Sequence, residues 1–388
     1  MNPLRALGVA AVLGVVPSGS PAIQEKRDDR LTNANAKFAL DLYARIVQDH
    51  AGKNVFVSPT GIAMALALLH NGGAGTTREA LAKVLGLENV PIEEVNRLWA
   101  ALAKDLKSLD PKVKLEIANS IWARESYPVE PAFVQALEKY FEAQVGVLTS
   151  DGRPINEWIR EHTGGKIQQA VPEVTPESVA MYLINAVYFK AEWKIAFDKK
   201  ETRDLPFRLL DGSTRAHPMM HQKGSFDHLQ TDDLQAIRIP YGKDGRMSMV
   251  VFLPKEGLSL DGLHRRLTAE NVARWMKEFR QAECDLTLPR FKLELEFELL
   301  GNLRSLGMPT RGYGGISKQD FGVGGVLHKT FVEVNEEGTE AAAVTVIKLT
   351  TSVSPNPSVF RADRPFVCML RDDTTGSILF MGSIVDPR

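Results

Sequence analysis

The spacing of hydrophobic side chains changes along this 388-residue chain, and that change most restricts the folds it can adopt. In the first half the spacing is helical, as in residues 35–49. In the second half it alternates, and the pair 236–239 and 247–253 is typical of a hairpin. Helices followed by strands indicate an α+β fold with antiparallel or mixed sheets rather than a doubly wound parallel sheet.

Helix starts can also be placed from the sequence. Ser58-Pro59 is a typical start, because serine caps free N–H groups and proline fits the first turn. Thr76-Thr77 predicts the cap of a second helix. The same patterns predict further helices at 78–85 and 155–163, and strands at 54–57, 113–123, 178–189 (broken by Asn185), 286–299, 366–370 and 377–384.

The composition is that of an ordinary globular protein, with 44% hydrophobic and 24% charged residues. Its 47 basic and 48 acidic side chains nearly cancel, so charge favours neither nucleic acid nor a membrane as partner. The two cysteines, Cys284 and Cys368, show no metal-ligand spacing. We expect both to be buried as small apolar side chains rather than joined in a disulfide.

The N-terminus has the pattern of a secretory signal. Arg5 precedes an apolar run at residues 6–16, and small residues follow as far as Ala22. This predicts a signal peptide at 1–22 and a single exported domain at 23–388. No later run is long enough to span a membrane, and proline blocks the one candidate glycosylation triplet at 356–358, as expected of a secreted bacterial protein.

Sequence motifs of enzymes are missing. The chain has no G-x-S-x-G elbow, phosphate-binding loop, H-E-x-x-H motif or dinucleotide fingerprint, and the glycine-rich segments 312–315 and 322–325 are interpreted as loops. His217 and His221 have a zinc-like spacing, but Pro218 between them argues against a helical metal site. We therefore predict neither an enzyme nor a cofactor, although a catalytic triad assembled in space stays open.

The run at residues 336–347 carries the functional signal. Gly338 provides a flexible pivot, and from there the residues alternate between two faces of a potential strand. One face is uncharged, and its first members are small: Thr339, Ala341 and Ala343. The other face carries both charges and includes Glu340 and Ala342. Because alanine is poor strand material, a loop that can become a buried strand explains this run better than an ordinary strand does.

This run resembles the hinge of the serpins, a superfamily of serine protease inhibitors. The hinge residues are Glu336, Glu337, Gly338, Thr339, Glu340, Ala341, Ala342 and Ala343. Further similar segments lie, in family order, at 54–63, 185–193, 217–220, 241–253, 328–329, 360–366 and 380–382. The resemblance implies a serpin fold with three β-sheets, eight or nine helices and an exposed reactive-centre loop at about 336–361.

The resemblance also implies a mechanism and roles for named residues. A target protease cleaves the loop, becomes trapped as an acyl-enzyme, and the loop inserts into the main sheet as a new strand. Ser58, Asn185 and His328 would form a buried hydrogen-bonded group, the shutter, that holds the sheet closed. Gly61 stands where a second serine is usual, which puts the strength of the shutter in question.

At the top of the sheet Glu336 is expected to pair with Arg290, and Trp193 to pack nearby. The alternative interpretation for this pair is an ordinary surface ion pair.

Family spacing from the hinge places the scissile bond between Ser352 and Val353, or one or two residues away at Thr351 or Ser354. The only nearby base, Lys348, lies too early to be the specificity residue. The partner predicted is therefore a serine protease with a small or shallow pocket, elastase-like or subtilisin-like, and the inhibitor is expected to be a monomer. The alternative is a non-inhibitory serpin acting as carrier, chaperone or storage protein.

Overall fold

The structure is a computed structural model, and it describes residues 30–107, 110–255, 257–339 and 357–388. The predicted signal peptide at 1–22, the hinge residues from Glu340 to Ala343 and the predicted scissile bond at 351–354 lie outside these ranges. Within them, no helix is long and apolar enough to cross a membrane.

Nine α-helices form within the described ranges, in agreement with the eight or nine expected. They are α1 (Arg30–Asp49), α2 (Pro59–Gly72), α3 (Thr76–Val84), α4 (Ile92–Lys107), α5 (Pro131–Phe141), α6 (Arg153–His162), α7 (Leu260–Arg266), α8 (Ala269–Glu278) and α9 (Leu300–Ser305). A short 3-10 helix spans Lys199–Glu201. Ser58 caps α2 as predicted, since its side chain accepts a hydrogen bond from the N–H of Gly61.

The strands confirm the α+β class. A six-stranded sheet has the order β10-β11-β12-β4-β2-β3. Its strands are β2 (Val113–Ala123), β3 (Gln144–Val147), β4 (Met181–Glu192), β10 (Phe291–Glu298), β11 (Leu327–Val334) and β12 (Gly338–Thr339). All its neighbouring strands are antiparallel except β2 and β3. The segment β12 therefore lies between β11 and β4.

The other strands form one nine-stranded sheet in the order β1-β15-β14-β8-β7-β6-β9-β13, with β5 paired to β6. They are β1 (Val55–Val57), β5 (Arg203–Arg208), β6 (Thr214–Gln230), β7 (Leu234–Tyr241), β8 (Met247–Pro254), β9 (Arg280–Pro289), β13 (Ser358–Arg361), β14 (Phe366–Asp372) and β15 (Ile378–Ile384). Three sheets were predicted, but the described strands form two hydrogen-bonded sheets. The reason is that β6, 17 residues long, pairs with β5 along its first part, with β9 along its middle and with β7 at its end, and so joins strands that would otherwise form separate sheets.

Three local predictions were wrong. The helix α3 has Gly75 rather than a threonine at its cap, and the Thr77 hydroxyl donates to the carbonyl of Arg311 instead. The alternating run 286–299 belongs to two strands, β9 and β10, which meet at Arg290. Strand β4 continues through Asn185 without a break. The glycine-rich segments 312–315 and 322–325 lie outside helices and strands, as predicted.

A continuous apolar core joins α1, α2, α4 and α5 to both sheets, and a smaller cluster lies between α6, β2 and β4. Both cysteines are buried and free, Cys284 in β9 and Cys368 in β14, as predicted. Burial raises the pKa of the Cys284 thiol to about 11 and that of Cys368 to about 12. Neither thiol is therefore ionised near neutral pH.

Candidate functional site

The most informative place in the fold is where the chain leaves β11 and enters β12. The chain reverses at Asn335, whose backbone N–H donates to the carbonyl of Gly338 at 2.9 Å. Thr339 then pairs with Val334 of β11 on one side and with Ala191 of β4 on the other. Since neighbouring strands lie about 4.8 Å apart, β11 and β4 are about 9.5 Å apart at this level.

Beyond Thr339 the two flanking strands do not pair with each other in the described part of the chain. The far edge of β4 is fully used by β2, from Met181 to Ala191, and the far edge of β11 is fully used by β10. The inner edges of β4 and β11, below β12, have no ladder partner among the described residues. We call the space between these two inner edges the central slot.

Glycine is required at the entrance to the central slot. Gly338 has a φ of +153°, and a Cβ placed there would lie 2.0 Å from the carbonyl oxygen of Ala191. This distance is much shorter than a van der Waals contact. The backbone of Ala191 cannot move away easily, because it is paired with the neighbouring strand β2. The sequence predicted a pivot at Gly338, and the structure adds that close backbone approach excludes any side chain.

The side chain of Thr339 is buried, 2% exposed, and points to the core side of the sheet. Its hydroxyl lies 2.6 Å from the hydroxyl of Tyr241, which ends β7. Burial raises the pKa of Tyr241 well above its ordinary value, so the phenol keeps its proton. The face that the sequence assigned to the interior is therefore the buried face at Thr339, the first residue of that face.

Glu336 is held in place just before the pivot. Its side chain is 2% exposed and lies 2.8 Å from the guanidinium of Arg290. The other carboxylate oxygen accepts a hydrogen bond of 2.6 Å from the hydroxyl of Thr202. The structure thus places Glu336 and Arg290 together as the sequence predicted. The Glu336 carboxylate is buried, hydrogen-bonded to Thr202 and ion-paired with Arg290, whose own side chain is 44% exposed, so the pair is not the fully exposed surface bridge of the alternative interpretation.

Trp193 fixes the same turn from the β4 side. Its backbone N–H donates to the carbonyl of Glu337 at 2.9 Å, and its indole N–H donates to the carbonyl of Asn335 at 2.8 Å. The indole stacks on the ring of Tyr241 with centroids 4.3 Å apart. The two aromatic rings therefore support the turn and the buried hydroxyl of Thr339 together.

Two of the three predicted shutter residues meet. The backbone N–H of Ser58 donates to Nε2 of His328 at 3.0 Å, and the Ser58 hydroxyl donates to the carbonyl of Leu379 at 2.8 Å. Burial lowers the pKa of His328 to about 4, so the imidazole is neutral at pH 7 and Nε2 can accept. Thr330, on the same strand, donates to the carbonyl of Phe56 at 2.6 Å. These bonds tie β11 to β1 and the start of α2.

The third predicted shutter residue has a different partner. Asn185 donates to the side chain of Asn119 in β2 at 2.8 Å and makes no hydrogen bond to Ser58 or His328. Its buried carbonyl oxygen has no hydrogen-bond partner among the described residues. A Cβ on Gly61 would lie 2.4 Å from that oxygen. Because Gly61 has no side chain, the amide occupies this space and turns towards the neighbouring strand.

The histidines considered for a metal are used otherwise. His217 donates from Nε2 to the carbonyl of Arg290 at 2.6 Å, and His221 lies 2.8 Å from Asp285. In the described ranges no group of three or more candidate ligand side chains could hold a metal ion.

Four contributors to the site were missed at the level of sequence. Thr202, Asn335 and Tyr241 surround the turn, and Asn119 holds Asn185. Only Tyr241 carries a usable signal, an aromatic residue at the end of a predicted strand. The other three are polar residues whose partners lie far away in the chain.

Within the described part of the chain, β12 is a short strand at the head of the central slot between β11 and β4. Comparison with known proteins gives the family. Residues 33–387 match the family model described as Serpin (serine protease inhibitor), and the chain belongs to this family.

Relatives and solved structures agree with that placement. The human leukocyte elastase inhibitor is 32% identical over 381 residues, which cover 92% of this chain and 100% of that protein. The thermophilic serpin tengpin in its native state has a TM-score of 0.85 and 28% identity, covering 95% of this chain and 97% of that one. Human thyroxine-binding globulin complexed with thyroxine has a TM-score of 0.85 and 25% identity, covering 93% and 100%. As a serpin, the chain is placed among protease inhibitors rather than enzymes.

Proposed function

We propose that this protein inhibits serine endopeptidases as a suicide substrate. The observation that carries the proposal is the position of β12, which already occupies the head of the central slot between β11 and β4. Residues after Thr339 would extend β12 down the slot once the target protease has cut the reactive-centre loop. The acyl-enzyme would be carried along and trapped.

The slot supplies a driving force for this step. Its inner edges, on β4 and β11, have no ladder partner below β12 among the described residues, and a new strand would pair with both. A strand matching the eight residues of β11 could form about eight backbone hydrogen bonds with each neighbour, about 16 in all, at a net ~1 kcal/mol each, so about 16 kcal/mol. The uninserted form is then held kinetically, by the shutter below and the Glu336 contacts above.

The target class follows from the residues around the predicted scissile bond. Ser352 and Val353 are small or β-branched, which suits a small or shallow specificity pocket and not the acidic pocket of trypsin-like enzymes. The similarity to an inhibitor of leukocyte elastase supports an elastase-like partner. A subtilisin-like protease fits the same sequence.

We further propose that the protein acts outside the cell as a monomer and that its source is bacterial. The apolar run at residues 6–16, followed by small residues, supports export.

The direct test mixes the mature chain with pancreatic elastase or subtilisin. We expect a complex that survives boiling in detergent, and none with a protease whose active-site serine has been blocked beforehand. The blocked protease is the control for non-covalent association. Complete cleavage of the chain with full recovery of protease activity would overturn the proposal and favour the carrier, chaperone or storage alternative.

A further inference from the structure

A cavity of about 180 Å³ lies on the far side of the nine-stranded sheet, between the end of α1, the start of α7 and the end of β15. Its apolar wall is formed by Val47, Leu260 and Val385, all buried, and by Leu210, which is 51% exposed at the rim. Its polar lining comes from His50, Lys53, Ser259, Asp261, His264 and Ser383. None of these residues takes part in the hinge or the shutter.

A chain of three hydrogen-bonding groups ends at this cavity. The hydroxyl of Tyr43 lies 2.6 Å from that of Ser383, which in turn lies 2.6 Å from Nε2 of His264. Tyr43 is 1% exposed, and Ser383 is the hydrogen-bond partner of its hydroxyl among the described residues. A buried phenol O–H without an acceptor would be costly, so Tyr43 donates to Ser383.

The direction of the first bond fixes the others. Ser383 is 1% exposed, and Tyr43 and Nε2 of His264 are the two partners of its hydroxyl among the described residues. Since it accepts from Tyr43, a buried hydroxyl proton without an acceptor is avoided only if it goes to Nε2 of His264. Burial lowers the pKa of His264, so the ring is neutral and its single proton is on Nδ1. Asp261 lies 3.7 Å from Nδ1, beyond hydrogen-bond distance, although its charge raises the pKa of His264 and so partly offsets the effect of burial. The Nδ1–H is therefore a donor at the cavity wall with no acceptor at hydrogen-bond distance among the described residues.

Lys53 adds a positive charge to the same lining. It is exposed, and no carboxylate lies within ion-pair distance of it among the described residues. Asp261 is the one carboxylate in the lining, and at 72% exposed it is largely screened by water. A cation and a neutral N–H donor above an apolar floor form a pattern that recognises a carboxylate carried on a short hydrocarbon chain.

We propose that this cavity is a binding site for a small aliphatic monocarboxylate, whose carboxylate contacts Lys53 and the Nδ1–H of His264. The size is consistent, because a cavity of about 150 Å³ holds benzene. Pentanoate, with about seven non-hydrogen atoms, should bind with a Kd on the order of 1 mM, as expected of so small a ligand.

The test is calorimetric titration of the full chain with sodium pentanoate. 1-Pentanol and pentylammonium chloride serve as neutral and cationic probes with the same hydrocarbon chain. We expect pentanoate to bind one site about 10-fold more tightly than pentanol, and pentylammonium not to bind measurably. Equal affinity for all three probes, or no saturable binding of pentanoate, would overturn the proposal.

Variants locate the contact. Lys53→Met should weaken pentanoate binding about 10-fold while leaving pentanol binding unchanged. Lys104→Met, at an exposed lysine on α4, is the matched control and should bind like the unmodified protein. Equal pentanoate affinity in both variants would contradict the assigned site.

Nitrogen-15 spectra of labelled histidine side chains provide a second readout. The Nδ1 signal of His264 should show a protonated nitrogen and should shift on addition of pentanoate. A proton on Nε2 in the free protein would refute the hydrogen-bond direction derived above. Protease inhibition should be unchanged by Lys53→Met. A failure of the binding-site proposal can therefore be distinguished from a failure of the proposed inhibitory function.

Discussion

Replacing Thr339 by arginine tests the entry of the loop into the sheet. Thr339 is 2% exposed and bonded to Tyr241, between backbone neighbours on both strands. A guanidinium placed there has no carboxylate to pair with among those neighbours, and an unpaired buried charge costs several kcal/mol. If only about 3 kcal/mol of that cost is felt during insertion, insertion slows roughly 150-fold.

That slowing changes the fate of the acyl-enzyme, because insertion competes with hydrolysis. If the protein inhibits as proposed, the arginine variant should instead behave as a substrate that releases almost all the protease active. The assay is a titration of elastase activity against added inhibitor, with the detergent-stable complex measured on gels. Thr339→Ser, which keeps the hydroxyl near Tyr241, is the matched control and should inhibit like the unmodified protein.

Two outcomes separate the explanations. If Thr339→Arg is cleaved in the loop as fast as Thr339→Ser but forms no complex, insertion is the step that failed. If the arginine variant forms as much complex as the serine variant, burial of residue 339 in β12 is not needed for insertion and the reasoning is refuted.

Three further predictions concern the contacts that hold the central slot. Glu336→Gln should speed spontaneous inactivation at elevated temperature, because the bond to Arg290 loses its charge; an unchanged rate would exclude a holding role. The free energy of unfolding measured with urea should fall by up to about 3 kcal/mol as pH drops from about 6.5 towards 4. The folded-state pKa of His328 is lowered to about 4, so the unfolded chain takes up the proton first as pH falls. Protonation of His328 also removes the acceptor for the N–H of Ser58. That pH dependence should be smaller in His328→Gln, and an identical slope would rule out His328 as its source. Gly61→Ser should slow heat-induced inactivation relative to Gly61→Ala. Both variants place a Cβ against the carbonyl oxygen of Asn185, but only serine adds a hydroxyl that can donate a hydrogen bond to it. Equal rates in the two variants would contradict this prediction.

The sequence predicts the elements whose signals are local. Ser58 and Pro59 indicate the start of α2, because helix capping depends only on neighbouring residues. Strand β2 has the predicted bounds, Val113–Ala123, and its first five residues alternate between apolar and charged side chains. Gly338 and Thr339, at the start of the predicted hinge, lie in a strand, while the later hinge residues lie outside the described ranges and their insertion stays a prediction.

Choices between distant partners were not predictable in this way. Asn185 could bond to the shutter or to Asn119, and the space left by Gly61 decides between them in three dimensions. The alternation of 286–299 is the same on both sides of Arg290, although β9 pairs with β6 and β13 while β10 pairs with β11. An alternating pattern of side chains indicates that a strand exists, but the strand with which it pairs depends on the rest of the fold.

Hydrogen–deuterium exchange of β4 and β11 before and after proteolytic cleavage of the loop would test insertion most directly. Alternate backbone amides of Met181–Glu192 and Leu327–Val334 face the central slot. After cleavage, these amides should become strongly protected, while those of β2, already paired on the far edge of β4, should change little. Unchanged exchange in β4 and β11 after complete cleavage would contradict insertion of the loop between them.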